Sequence, residues 1–296
     1  MAFFPLDKAL ILDVEGKDAV RYLSARLTND IRSLAVGAGS IAAMLSPQGK
    51  TEGLFLVLRR GESLFRLIAD AGDHEKQIAA LRRFIVADRV EIANRSSELA
   101  MFHITEMPSS LPPLSFSEEG GIIHISRDRG FGPGADIIGD QSALDARYSL
   151  QSFSPIVPDE VTVARIKRGI PSFPRELNEN LLFSEARLFS AVSFQKGCYV
   201  GQEVVERVEA LGKTSKILQS AVLDMSVEVP AGEVVTTLPG SATEPAKAIG
   251  TVLSSAVDSS SGKTYLFLSL KNDPGLQNTS VVIAGSPGKI LWQDKR

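Results

Sequence analysis

Near residue 214 the chain changes its pattern, and few folds accommodate the change. Before it, strand-like and helix-like runs are mixed. After it almost every apolar run is short and strand-like: 216–224, 246–254, 264–270, 280–284 and 289–293. Pro230, Gly232, Pro239, Gly240 and the turn Ser259-Ser260-Ser261-Gly262 separate these runs. Short strands at such spacing predict a small β-barrel or sandwich. The expected organisation is a mixed region over 1–213 and a separate β domain over 214–296.

The first region reads as α+β. Leu10, Leu12 and Val14 alternate with Asp13 and Glu15, the pattern of a half-buried strand that Gly16 ends. Asp18 then opens a helical pattern with Val20, Leu23 and Leu27 on one face. Residues 40–45 and 53–60 are apolar runs joined by Ser46-Pro47-Gln48-Gly49, a good hairpin turn. Strands are expected at 63–69, 99–105 and 121–126, and helices at 74–86 and 159–170. A Pro-rich connector covers 108–113, and the loop holding Pro171 and Pro174 is well placed to line a pocket. Strands and helices in this order do not suggest a doubly wound parallel sheet.

Composition narrows the function classes. The net charge of −3 offers no bulk attraction to nucleic acid, so no direct nucleic-acid partner is expected. No segment reaches the roughly 18 uninterrupted apolar residues of a membrane span. The first residues do not read as a signal peptide. A single cysteine excludes an internal disulfide framework and fits a reducing, cytoplasmic setting.

That cysteine is the main chemical handle. It lies in Lys196-Gly197-Cys198-Tyr199-Val200-Gly201-Gln202-Glu203, which runs into a helical pattern with Val204, Val205 and Val208. Free cysteine is by type among the most buried residues. Here glycines flank it and a lysine stands nearby, a setting that favours thiolate and lets another molecule approach. Lys196 is either a solvated charge or an anion-binding group. Gln202 and Glu203 are either ordinary first-turn polarity or ligand contacts. The three histidines, His74, His103 and His124, lie in segments with no motif and read as structural. Without CxxC, HxxxH or a second cysteine, no metal site is expected, and one thiolate cannot hold an iron–sulfur cluster alone. Gly130-Phe131-Gly132-Pro133-Gly134 matches neither phosphate-binding pattern and reads as a loop. Arg165-Ile166-Lys167-Arg168 is either a solvated face or a modest anion patch.

Taken together, these words resemble the YgfZ folate-binding family, relatives of the glycine-cleavage T protein (aminomethyltransferase). Lys196 to Glu203 followed by Arg207 fits K-G-C-[YF]-x-G-Q-E-x-x-x-R. Gly16-Lys17-Asp18-Ala19 through Leu27-Thr28-Asn29-Asp30 looks like the family opening G-x-D-A … L-T-N-D. Ser46 to Lys50 fits S-P-x-G-[RK], and Arg165 to Pro171 resembles R-x-x-x-G-[IV]-P.

The resemblance implies two α+β subdomains and a C-terminal barrel around a central cleft. It implies tetrahydrofolate, or a one-carbon-substituted form, as cofactor. Glu185 stands where the T protein holds the pteridine, with Leu182 or Phe183 in place of that motif's proline. Tyr199, Gln202, Glu203, Arg207 and Asn29 are the other implied folate-site residues, with Lys216 or Lys213 for the anionic tail. Cys198 and Lys196 are the implied reactive pair. The implied role is maturation or repair of iron–sulfur proteins with 4Fe–4S clusters, including tRNA-thiolating enzymes, with client or assembly proteins as partners. The alternative is a true aminomethyltransferase. That enzyme typically carries an acidic residue at the cysteine position, and its catalytic aspartate has Asp70 as the nearest candidate here.

Overall fold

The structure is a computed structural model, and it describes residues 1–238, 246–273 and 280–291. The turn residues Pro239 and Gly240 and the last two positions of the strand expected at 289–293 lie outside the described residues.

Two sheets and a closed barrel make up the chain. One sheet has the order β3-β4-β5-β2-β6, built from β2 (Leu10–Glu15), β3 (Gly39–Leu45), β4 (Thr51–Arg59), β5 (Leu64–Ala69) and β6 (Glu91–Asn94). The other has the order β11-β1-β7-β10-β9-β8. Its strands are β1 (Ala2–Pro5), β7 (Ala100–Thr105), β8 (Phe116–Glu119), β9 (Ile122–Ser126), β10 (Gly134–Gly139) and β11 (Ser154–Pro155). The chain therefore starts in the second sheet, builds the first, and returns.

The sheets stack face to face. Ile11, Leu56, Leu58 and Ile68 from one meet Met101, Ile123, Ile125 and Ile138 from the other. On the opposite face of the first sheet, Leu10, Leu12 and Val14 pack with Leu23 and Leu27 of the α1 region (Ala19–Arg26) and Leu81 of α2 (His74–Arg82). The strand keeps the expected alternation at its end, with Val14 buried and Glu15 exposed, while Ile11 on its other face is covered by the second sheet. Leu144 of α3 (Gln141–Arg147) packs with Phe102, Ile122 and Ile137 on the far side of the second sheet.

Helix α4 (Pro158–Arg168) begins with Pro158 at its first position and ends at Gly169, whose φ of 61° is the left-handed closure that glycine favours. It leads to the barrel, β12-β15-β14-β13-β16-β17, which starts at Lys216. These strands are β12 (Lys216–Leu223), β13 (Val234–Thr237), β14 (Ala248–Asp258), β15 (Lys263–Lys271), β16 (Ser280–Ile283) and β17 (Ser286–Leu291). Ile217, Ala221, Val252, Leu266, Leu268 and Ile290 fill its interior, so closure removes every free edge and leaves a packed core. Helix α5 (Gln202–Leu211) precedes it.

Candidate functional site

Two places carry chemistry: the loop that presents Cys198, and a cavity between the sheets and the loop after α4.

Cys198 is exposed, but its neighbours are fixed. Lys196 Nζ donates to the carbonyl oxygens of Ser24, Leu27 and Asn29, at 2.6, 2.5 and 2.9 Å. These carbonyls lie at the end of α1, where the last turn of a helix has no internal donors. The ammonium also sits 4.9 Å from the centre of the Tyr199 ring. Burial pushes Lys196 down from 10.5 to about 8. Its charge is thus committed to the helix end, and its function in the motif is to moor the cysteine loop to α1. Lys196→Met should cost about 2 kcal/mol, the order lost with hydrogen bonds from a charged group. Urea denaturation measures it, and an unchanged midpoint would show that the ammonium anchors nothing.

Tyr199 is 8% exposed and packs with Ala43, Leu45, Phe183, Ala191 and Val205. Burial, with the nearby Glu206 charge, raises its phenol to about 12. Gln202 Oε1 accepts from the Tyr199 amide at 3.1 Å, and Gln202 Nε2 donates to Glu206. The Val200 amide donates to the Ala25 carbonyl at 3.3 Å. Helix α5 starts at Gln202 with Gly201 as its cap, so Cys198 stands three residues ahead of the cap. Glu203 and Arg207 are exposed on α5.

Gly201, at φ 83°, lies so close to the hairpin turn that an added Cβ would come within 2.6 Å of the Ser46 carbonyl oxygen. Reciprocally, a Cβ on Gly49 would meet Val204 at 2.8 Å. The two sequence words are pressed together through their glycines. Asn29 completes the support: its Nδ2 donates to Ser40 Oγ, the Ile41 carbonyl and the Ser190 carbonyl. Thr28, fully buried, donates to the Ala191 carbonyl and accepts from the Ala43 amide. Asn29 is therefore tied to β3 and to the turn at 189–191.

The cavity, about 370 Å³, is bordered by Leu54 and Leu56 of β4, Asp70 after β5, Arg127 to Arg129, and Arg165 to Phe173. The loop after α4 is held by Glu176, a fully buried carboxylate. It accepts from the Ser172 amide at 2.7 Å, from Arg165 Nη1 at 3.1 Å and from Ser254 Oγ of the barrel at 2.5 Å. Burial would raise its pKa, but the Arg165 charge and these donors hold it below the ordinary value. Arg168 is exposed at the cavity's border.

Opposite lies a charged network that the sequence reading did not find. Arg129, 8% exposed, donates to Asp70 through Nη1 and Nη2 at 2.7 and 2.8 Å. Its Nε and Nη2 donate to Asp136 at 2.6 and 2.8 Å. Asp136 is fully buried on β10 and also takes Arg127 at 3.0 Å and the buried His103 Nδ1 at 2.8 Å. Burial would raise both aspartates, yet the arginine charges outweigh it: Asp70 is held down at about 2 and Asp136 lower still. The available signal was Asp136 alone among the apolar residues of Ala-Asp-Ile-Ile, a few positions after Arg127 and Arg129.

The implied folate-site residues outside the cysteine loop, α5 and the α1 end are Glu185, Lys216 and Lys213. Glu185 is 4% exposed, and its carboxylate accepts from the Leu182 amide at 2.9 Å and Ser215 Oγ at 3.1 Å. Lys216 is exposed at the start of β12, across the ladder from Lys271. Lys213 borders a second cavity of about 220 Å³, between Phe183, Phe189 and Val208. None of the implied folate-site residues, Glu185, Tyr199, Gln202, Glu203, Arg207, Asn29, Lys216 or Lys213, borders the 370 Å³ cavity. No cluster of three or more His, Cys, Asp or Glu among the described residues could hold a metal ion.

Comparison with known proteins agrees with this architecture. Residues 5–106 match the GCVT N-terminal domain model. The glycine-cleavage aminomethyltransferase T of Bartonella henselae superposes with a TM-score of 0.84 at 16% identity, over 99% of this chain and 85% of that one. The protein thus has the fold of that transferase. The tRNA-modifying protein YgfZ of Yersinia pestis is 24% identical over 92% of this chain and 85% of that protein. That of Colwellia psychrerythraea is 24% identical over 70% and 67%. Together these matches show that the chain resembles the YgfZ family, related to the aminomethyltransferase T.

Proposed function

We propose that this chain is a tetrahydrofolate-binding factor of the YgfZ type that serves the maturation or repair of iron–sulfur proteins, with Cys198 as its reactive thiol. The observation that carries the reading is the presentation of Cys198. An exposed thiol on a loop moored at Lys196, Tyr199 and Gly201 suits reaction with another molecule, not packing. Client and assembly proteins are the partners this implies.

The cavity suits a folate in its chemistry. Leu54, Leu56, Ile170 and Phe173 offer apolar walls to a flat ring, and Arg168 offers a cation to an anionic tail. Arg165 is less available, because Glu176 and the Ile170 carbonyl already take its guanidinium. A bound folate would bring a one-carbon carrier to the face shared by β4 and the loop after α4.

Anaerobic calorimetry with tetrahydrofolate and its methylene and formyl forms tests this. Saturable binding is the expected outcome, and Arg168→Ala should weaken it about fivefold, as for one partly solvated charge contact. If no form binds, the folate part of the reading is wrong.

A second reading, aminomethyl transfer, draws support from the shared fold. The acidic residue that the transferase word carries at the position of Cys198 is missing here, and Asp70 is already gripped by Arg129. A glycine-cleavage assay with the purified chain separates the two: turnover would favour the transferase.

A further inference from the structure

We propose that a third cavity, between α2, the start of β4 and residues 173–180, is a second binding site, which takes a neutral cyclic amide through its adjacent N–H and C=O. The site does not depend on the folate reading.

This cavity, about 670 Å³, shares only Phe173 with the 370 Å³ one. Gln77 and Thr51 border it. Gln77 lies on the buried side of α2, with Ala80 and Leu81. It is 2% exposed, yet neither its Oε1 nor its Nε2 has a hydrogen-bond partner among the described residues. Thr51 is 6% exposed, and its Oγ1 is likewise unpartnered. A hydrocarbon side chain would fill either position without the cost of burying an unpaired polar group. Two such groups at one cavity point to a molecule that enters and pairs with them.

The chemistry of the lining narrows that molecule. The carboxamide is packed against Gly72, where an added Cβ would lie 3.0 Å from Oε1 and 3.1 Å from Nε2. It is therefore held in place, with a donor and an acceptor side by side. Its complement is an N–H next to a C=O, which a ring amide presents on one edge, and the Thr51 hydroxyl adds one more donor or acceptor. Charge decides between neutral and ionic ligands. The cations at the rim, Lys76 and Arg83, each face a carboxylate of the same rim, Asp73 at 3.4 Å and Glu52 at 3.6 Å. An anion would have to compete with those carboxylates, whereas a neutral amide does not. Phe173, Pro174, Ala79 and Ala80 offer apolar surface to the faces of a ring.

Uracil is the probe, and 1,3-dimethyluracil, which keeps both carbonyls and lacks both N–H groups, is the control. Ligand-observed NMR on the full chain gives the two affinities. Wild type should prefer uracil by roughly tenfold or more, since a site built for an N–H rejects a ligand without it. Gln77→Met should bring that ratio close to one, and Thr51→Val should lower it. In urea without ligand, Gln77→Met should unfold at a midpoint no lower than wild type, because it removes an unpaired polar group. A lowered midpoint would mean that the amide is satisfied inside the protein, and the site would be overturned. The same proteins are titrated with tetrahydrofolate. If Gln77→Met loses uracil and tetrahydrofolate together, the cavity belongs to folate and no separate site exists. No uracil binding by wild type, or a ratio unchanged in Gln77→Met, also overturns the proposal. If wild type binds uracil but no tetrahydrofolate, only the folate reading has failed.

Discussion

A Cys198→Ala protein is expected to fold, to bind folate as the parent does, and to leave iron–sulfur enzymes as inactive as in cells lacking the protein altogether. The three outcomes follow from where the side chain is. Its sulfur is exposed, and the loop is held by other atoms: the Lys196 ammonium, the buried Tyr199 ring and the Gly201 turn. Removing an exposed side chain away from such anchors changes stability by about 0.5 kcal/mol or less. The cavity proposed for folate lies among different residues. Only the thiol's own reaction is lost. Complementation measured by a cluster enzyme's activity decides the matter, with melting temperature and folate titration as controls. Full rescue by the alanine variant would end the thiol hypothesis.

The largest stability loss is expected at Asp136, a residue far from that thiol. Asp136→Asn removes the charge between Arg129, Arg127 and His103 at a fully buried position. Breaking a buried ion pair from one side typically costs about 3–5 kcal/mol, because the remaining charges stay buried without their partner. Denaturant unfolding at neutral pH should show that loss, and less than about 1 kcal/mol would mean that water already solvates the arginines. The network also sets the acid limb of stability. Asp70 and Asp136 have folded pKa values below their ordinary 3.8. In acid the unfolded chain takes up protons that the folded chain refuses, so their stabilisation is complete above that ordinary value. It is lost as pH falls toward about 2, the folded value of Asp70. In Asp136→Asn the decline over that window should be shallower, since one of the two depressed carboxylates is gone.

How much of this could be read from the residues depended on distance along the chain. Strand β2, the β3–β4 hairpin and α1 followed from periods of two and 3.6 and from a turn word, all local signals. The barrel followed from repeated short strands. Strand β10 did not, because Gly134 looked like the end of a glycine-rich loop and Asp136 interrupts an apolar run. Its charge makes sense only once Arg127 and Arg129 are folded against it. Lys196 was similarly hidden: neither a solvated charge nor an anion-binding group describes an ammonium bound to carbonyls more than 160 residues earlier. Motif words located the candidate thiol, but the charged network beside the cavity needed the partners that only tertiary structure supplies.

The glycine contacts between residues 46–49 and 201–204 have a consequence for anyone rebuilding this chain. Each segment is moulded on the other, one missing Cβ facing a carbonyl and the other facing a valine. Neither can be grafted alone. A chimera that takes the cysteine segment from a relative while keeping a native hairpin of different shape would shift the sulfur even with the cysteine intact. The transplantable unit is the pair, two short stretches some 150 positions apart in sequence that behave as a single cassette.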